Sequence, residues 1–210
     1  VYGGNVKMPF SESNGVDHPV SLYAASKRAN ELIAHSYSHL YSLPAIGLRF
    51  FTVYGPWGRP DMAYYFFCKK ILKNKKIEVF NNGKHKRDFT FIDDITEALS
   101  RIINKPAEPN SRWQSSRPDP STSNCPWKIY NIGNSNPVNL MDYINAIENS
   151  LNIKAKIEYD KIQMGDVKST VTSNKNLKKI IKMKKATSHE IGIKKFVEWF
   201  LNYFSKTKIK

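Results

Sequence analysis

Residues 45–56 read Ala45-Ile46-Gly47-Leu48-Arg49-Phe50-Phe51-Thr52-Val53-Tyr54-Gly55-Pro56. The run is apolar without alternation, the pattern of a strand buried on both faces in a parallel sheet. Gly55-Pro56 punctuates its end. Parallel neighbours require crossover connections, usually helices, and helical patterns flank the run on both sides. Upstream, residues 21–41 carry Leu22, Ala25, Ala29, Leu32, Ile33 and Leu40 as an apolar stripe, with Ser21 placed to cap the helix and Pro44 to stop it. Downstream come a helix over 62–72, a strand over 77–80 closed by Asn81-Asn82-Gly83, and a strand over 89–92. Asp93 or Asp94 then caps a helix bearing Ile95, Ala98, Leu99, Ile102 and Ile103.

Residues 105–126 change character. Prolines and serines dominate, aliphatic residues are scarce, and the stretch reads as a surface loop, with disorder open to it. Beyond it the pattern predicts a strand at 129–132, a helix at 140–151 and a strand at 155–159. A terminal helix from about residue 190 buries Ile193, Val197, Phe200, Leu201 and Phe204.

The 210 residues are 40% hydrophobic, enough for a sizeable core. The formal net charge of +15 raises nucleic-acid binding as a class. The lysines are dispersed over polar faces and turns, however, with no zinc, homeodomain or RNA-recognition frame, so a solvated surface that draws in anionic substrates is the expectation. Cys68 and Cys125 form no CxxC pattern and point to a reducing compartment. No signal peptide or membrane-length apolar run occurs, which makes a cytoplasmic protein the default. His35 and His39 stand four apart without a third ligand or an H-E-x-x-H frame, so no metal site is expected.

Chemistry enters at Leu22-Tyr23-Ala24-Ala25-Ser26-Lys27. A Tyr and a Lys four residues apart share one helix face. The ammonium favours the phenolate form of a phenol whose ordinary pKa is about 10. Such a phenol can exchange a proton with a substrate hydroxyl. The bland alternative is a half-buried Tyr beside a solvated Lys.

The order Val1-Tyr2-Gly3-Gly4, His18-Pro19-Val20-Ser21, the Tyr23 helix and the 45–54 strand closed by Gly55-Pro56 resembles the extended short-chain dehydrogenase/reductase (epimerase/dehydratase) family. Phe51-Thr52-Val53-Tyr54-Gly55-Pro56, Arg59-Pro60-Asp61-Met62 and Lys86-Arg87-Asp88-Phe89-Thr90-Phe91-Ile92-Asp93-Asp94 are most similar to the UDP-glucuronate 4-epimerases. The likeness runs from Val1 to about Tyr203. It implies an α/β chain: the C-terminal part of a Rossmann-like doubly wound parallel sheet plus a small α/β substrate-binding domain. Residues 1–54 would be the tail of the NAD-binding domain, and 55–210 the substrate-binding region interleaved with the last Rossmann elements. No G-x-G-x-x-G-type fingerprint occurs, so the chain reads as part of a longer enzyme, weak in NAD binding and turnover by itself.

The resemblance also implies roles. Tyr23 is the acid/base on the sugar 4-hydroxyl, and Lys27 tunes it while touching the nicotinamide ribose. The third partner, a Ser or Thr, lies outside the sequence, and neither Ser21 nor Ser26 takes its place. Phe51 faces the NAD nicotinamide, while Thr52 donates to the substrate carboxylate or bonds its own backbone. Arg59 and Arg87 hold the diphosphate or form surface salt bridges. Phe80 contacts uracil or fills core. Asp166 grips the ribose hydroxyls, with Gln163 a weaker candidate. The implied reaction is NAD-dependent epimerisation of UDP-glucuronate to UDP-galacturonate through a 4-keto sugar. Alternatives are a nucleotide-sugar 4,6-dehydratase or decarboxylase of the same family, or a non-catalytic UDP-binding fragment. The implied partners are a UDP-sugar and a second copy in a homodimer, with neither nucleic acid nor membrane.

Overall fold

The computed structural model describes residues 1–162 and 167–207. In chain order the elements begin α1 (Leu22–Tyr41), β1 (Ala45–Phe50), β2 (Thr52–Tyr54), α2 (Ala63–Leu72), β3 (Lys76–Val79), a 3₁₀ turn (Phe80–Gly83), β4 (Lys86–Arg87) and β5 (Phe89–Phe91). They continue α3 (Ile92–Ile102), β6 (Trp127–Ile132), β7 (Val138–Asn139), α4 (Leu140–Leu151), β8 (Lys156–Tyr159), α5 (Lys175–Ile180) and α6 (His189–Thr207). Two units emerge. The first comprises Val1–Phe51, Thr96–Ser135 and Val171–Met183, and the second Thr52–Ile95, Asn136–Thr170 and Lys184–Lys210.

In the first unit β1 pairs with β6 in parallel, Ala45 opposite Trp127 through Phe50 opposite Ile132. α1 leads into β1 because its ends are specified locally. The Ser21 side chain accepts from Ala24 N at 3.1 Å, and Ser42 takes a left-handed conformation (φ 52°) just before Pro44. The helix buries Ala24 and Ser38. Leu22, Leu32, Ile33 and Leu40, of the apolar stripe read in the sequence, are exposed, Leu22 at 88%.

A buried polar network fixes residues 1–20 on this unit. Tyr2 Oη donates to Asn131 Oδ1 at 2.5 Å, and Asn131 N donates to Glu12 Oε1 at 3.0 Å. The other Glu12 oxygen accepts from Asn176 at 2.9 Å. Glu12 is fully buried, and these bonds satisfy its carboxylate. Gly3 (φ +52°) approaches this segment so closely that a Cβ would sit 2.3 Å from His18 O.

One expectation changes here and another is narrowed. The 45–56 run is not one strand: Phe51 N donates to Ile132 O at 3.1 Å, and from Thr52 the chain pairs instead with Phe89 in β5. Residues 105–126 form a largely exposed loop with no named helix or strand, but its end is ordered against the strand that follows. Ser121, Thr122, Ser123 and Cys125 are buried, and Ile129 N donates to Ser121 O at 2.8 Å. Asp119 accepts from both the backbone N (2.9 Å) and the hydroxyl (2.8 Å) of Ser121. Side chains that satisfy their own backbone let a proline-rich coil lie against a strand.

The second unit holds the parallel pairs β2–β5 and β3–β8 and the antiparallel pair β4–β7. Its core is aromatic: Tyr54, Tyr64, Phe89, Phe91, Tyr143, Phe196 and Phe200 are buried together, and Phe89 stacks on Tyr143 with centroids 3.9 Å apart. Burial raises the phenol pKa of Tyr54, Tyr64 and Tyr143, so these tyrosines stay neutral. α6 contributes Ile193, Phe196, Val197 and Phe200 to this core, while Leu201 is exposed. α5, short and lysine-rich, has no counterpart in the sequence reading; it buries Leu177.

Candidate active site

Tyr23 and Lys27 occupy the first two turns of α1, on one side of the helix. The Lys27 ammonium lies 5.3 Å from the centroid of the Tyr23 ring. The phenol is 67% exposed and is not sealed in hydrocarbon. Both side chains open on a groove of about 500 Å³ with α1 (Tyr23, Lys27, Glu31) on one wall. All six residues of β1 form the other. Among the described residues β1 has β6 as its one strand partner, so the groove runs along a parallel strand carrying unpaired backbone groups.

The nearby serines are committed elsewhere. Ser21 caps the helix, and Ser26 Oγ donates to Tyr23 O at 2.8 Å. Neither hydroxyl is aimed as a third member beside the Tyr23 phenol.

A charge chain holds this face of α1 to the strand. Arg49 donates twice to Glu31, Nε to Oε1 at 2.7 Å and Nη2 to Oε2 at 2.9 Å. Arg28 donates to Glu31 at 3.0 Å and, through Nη2, to Asp17 at 3.1 Å. Only 4% of the Arg49 side chain is exposed. Burial works against its charge, but the Glu31 hydrogen bonds and the Tyr2 ring 5.0 Å away outweigh that and raise its pKa. The signal in the sequence is Arg49 itself, a charge inside an apolar buried strand, which demands a partner. Sequence reasoning missed that Glu31, one turn beyond Lys27, is the partner.

The remaining candidates are placed as follows. Phe51 is half-buried in the first unit, packed with Tyr2 and Phe10 at centroid distances of 6.1 and 6.4 Å. In the second unit Thr52 opens β2 opposite Phe89. Arg59 lies in the following loop, its guanidinium on the Asp61 carboxylate. Phe80 is half-buried where β3 passes into the 3₁₀ turn. Arg87, in β4, donates through Nη1 to Lys86 O at 3.2 Å. Asp166 and Gln163 lie outside the described residues. The His35 ring sits 3.0 Å from Ser123 Oγ and 6.4 Å from the His39 ring. Among the described residues no group of three or more His, Cys, Asp or Glu is arranged to hold a metal. Nor is any described helix long and apolar enough to cross a membrane.

Comparison with known proteins supplies the family and the fold. Residues 1–133 match the NAD dependent epimerase/dehydratase family. Protein CapI of Staphylococcus aureus is 53% identical over 206 residues, covering 98% of this chain and 62% of that protein. UDP-glucuronate 4-epimerase 4 of Arabidopsis thaliana is 44% identical over 212 residues, 99% of this chain and 47% of the relative. The crystal structure of UDP-glucuronic acid 4-epimerase from Bacillus cereus, in complex with UDP-glucuronic acid and NAD, superposes with a TM-score of 0.75. It is 24% identical, with 96% of this chain and 60% of that one covered, and so speaks to the fold alone. The chain thus spans roughly half to three-fifths of the length of these relatives. An α/β architecture of parallel strand pairs, an exposed Tyr-Lys pair on a groove, and a family match over 133 residues lead to one conclusion: the chain belongs to the NAD-dependent epimerase/dehydratase family.

Proposed function

We propose that this chain is the part of a UDP-glucuronate 4-epimerase that carries the acid/base pair and the nucleotide-sugar ligands. The observation that carries this reading is the Tyr23–Lys27 pair, exposed together on a groove. The 44% identity to an Arabidopsis thaliana UDP-glucuronate 4-epimerase favours that substrate within the family.

In this reading Tyr23 Oη takes the proton of the sugar 4-hydroxyl and returns it after the sugar has presented its other face. Lys27 keeps positive charge beside the phenolate. Arg59 and Arg87 grip the diphosphate, and Thr52 leaves room for the carboxylate and hydrogen-bonds it. Tight diphosphate anchoring lets a loosely held ring turn over.

The residues present fit one end of NAD. The exposed phenol and ammonium suit a ribose hydroxyl and the nicotinamide, while the chain holds no glycine-rich turn for the pyrophosphate. NAD, when bound, supplies the hydride acceptor and donor. We therefore assign turnover to the chain complemented by the portion of its relatives that it does not span, with the edge of β1 that pairs with no described strand as a place for added strand. The thiols of Cys68 and Cys125, both free, suit a cytoplasmic setting.

The test is to join this chain to the portion of the Staphylococcus aureus relative that it does not cover, and to incubate the product with UDP-glucuronate. The expected product is UDP-galacturonate. Loss of water or of carbon dioxide from the sugar would instead support a dehydratase or decarboxylase.

Homodimerisation belongs to the same reading. Ile33, Tyr37, Leu40 and Tyr41 lie exposed at spacings that place them on one side of α1. Ile33→Glu with Leu40→Glu is expected to convert a dimer to a monomer in light scattering. A wild-type chain already monomeric at micromolar concentration would contradict this.

A further inference from the structure

The loop between β2 and α2, Gly55-Pro56-Trp57-Gly58-Arg59-Pro60-Asp61-Met62, is held in a shape the backbone does not prefer. Trp57 is 76% exposed and has φ +61°, a left-handed conformation sparsely populated by bulky residues. Its ring nevertheless has partners on α6: Trp199 at 5.3 Å and Tyr203 at 5.5 Å. Gly58 N donates to Gly55 O at 3.1 Å, and a Cβ on Gly58 would lie 1.8 Å from Tyr64 Oη. Glycine is therefore the one residue that lets the loop close against α2.

On this anchored loop Arg59 meets Asp61. Arg59 Nε donates to Oδ1 at 3.0 Å and Nη2 donates to Oδ2, a two-pronged contact between exposed side chains. The guanidinium holds the Asp61 carboxyl below its usual range, chiefly through these hydrogen bonds. A phosphate can bind Arg59 through the same pair of N–H groups. The carboxylate two residues along thus sits on the Nε/Nη2 edge, one that a phosphate can use.

We propose that Asp61 is an internal competitor for the diphosphate, occupying an anion-binding face of Arg59 until the diphosphate displaces it. The proposal rests on the reading of Arg59 as a diphosphate ligand. Displacement costs little because both groups are exposed and water replaces the lost contact. The cost falls only on ligands that engage Arg59; one without a phosphate leaves the pair intact. Trp57, anchored on α6, keeps the loop from following Asp61 away when the exchange occurs.

The test is calorimetric titration of the 210-residue chain with UDP and, separately, with uridine, which lacks the phosphates. Asp61→Asn is expected to tighten UDP binding about 2- to 5-fold, the range set by an exposed ion pair, and to leave uridine unchanged. Arg59→Ala is expected to weaken UDP, and Asp61→Asn added to it to have no further effect. Trp57→Ala should weaken UDP while Trp57→Phe restores it. If Asp61→Asn fails to tighten UDP although Arg59→Ala weakens it, the inference is wrong and the diphosphate reading stands. If Arg59→Ala leaves UDP affinity unchanged, or neither wild type nor Asp61→Asn binds UDP, both fall.

Discussion

Tyr23→Phe, made in the complemented enzyme, is expected to reduce turnover at least a hundredfold. A positioned acid/base group contributes about 10²- to 10⁴-fold. The change deletes one oxygen and leaves the ring under the Lys27 ammonium, 5.3 Å from its centroid. The helix itself should not change, since its cap comes from Ser21, and the charge chain from Arg49 to Asp17 does not involve the phenol. UDP affinity should hold, because the groups assigned to the nucleotide are Arg59, Arg87 and Phe80. A variant keeping more than about a hundredth of wild-type turnover would remove Tyr23 from the chemistry.

Glu31→Ala should cost about 3–5 kcal/mol of stability, read as a lowered urea midpoint, because it strands the Arg49 charge inside the unit without a counter-ion. The Arg49 side chain is 4% exposed and Glu31 supplies both oxygens of its bidentate contact. Should that variant not fold, Glu31→Gln offers a milder case with the shape retained and the charge lost, and should still be clearly destabilised. Asp17→Ala, which removes a more exposed link of the same chain, should cost no more than about 1 kcal/mol. Equal effects for Glu31 and Asp17 would show that Arg49 finds another partner.

The contrast between these variants marks what could be read from residues in order. α1 and α4 were legible nearly to their ends; for α1 the cap Ser21 and the stop Pro44 act within a turn of the residues they govern. The Tyr23–Lys27 pair was legible for the same reason, being a spacing within one helix. The break at Phe51 was not. An apolar run looks alike whether its neighbour is β6 or β5, and the switch from Ile132 to Phe89 is written in partners 81 and 37 residues away. The ordering of the end of 105–126 by Asp119 and Ser121 was equally hidden, since composition cannot tell a polar coil bonded to itself from one solvated by water. On α1 the apolar stripe is exposed at Leu22, Leu32, Ile33 and Leu40, because hydrophobic periodicity reports a face that wants cover without saying what covers it.

The central claim is that this chain's Tyr23–Lys27 pair serves oxidation and re-reduction at carbon 4 of a UDP-sugar. The most direct test follows UDP-glucuronate deuterated at carbon 4 through the complemented enzyme in ordinary water, with the product examined by NMR. The account predicts UDP-galacturonate that keeps its deuterium at carbon 4, since the hydride leaves and returns without meeting solvent, and no such product from the Tyr23→Phe variant. Epimerised product that has exchanged its deuterium for solvent hydrogen, or product made equally well without the Tyr23 phenol, would contradict it.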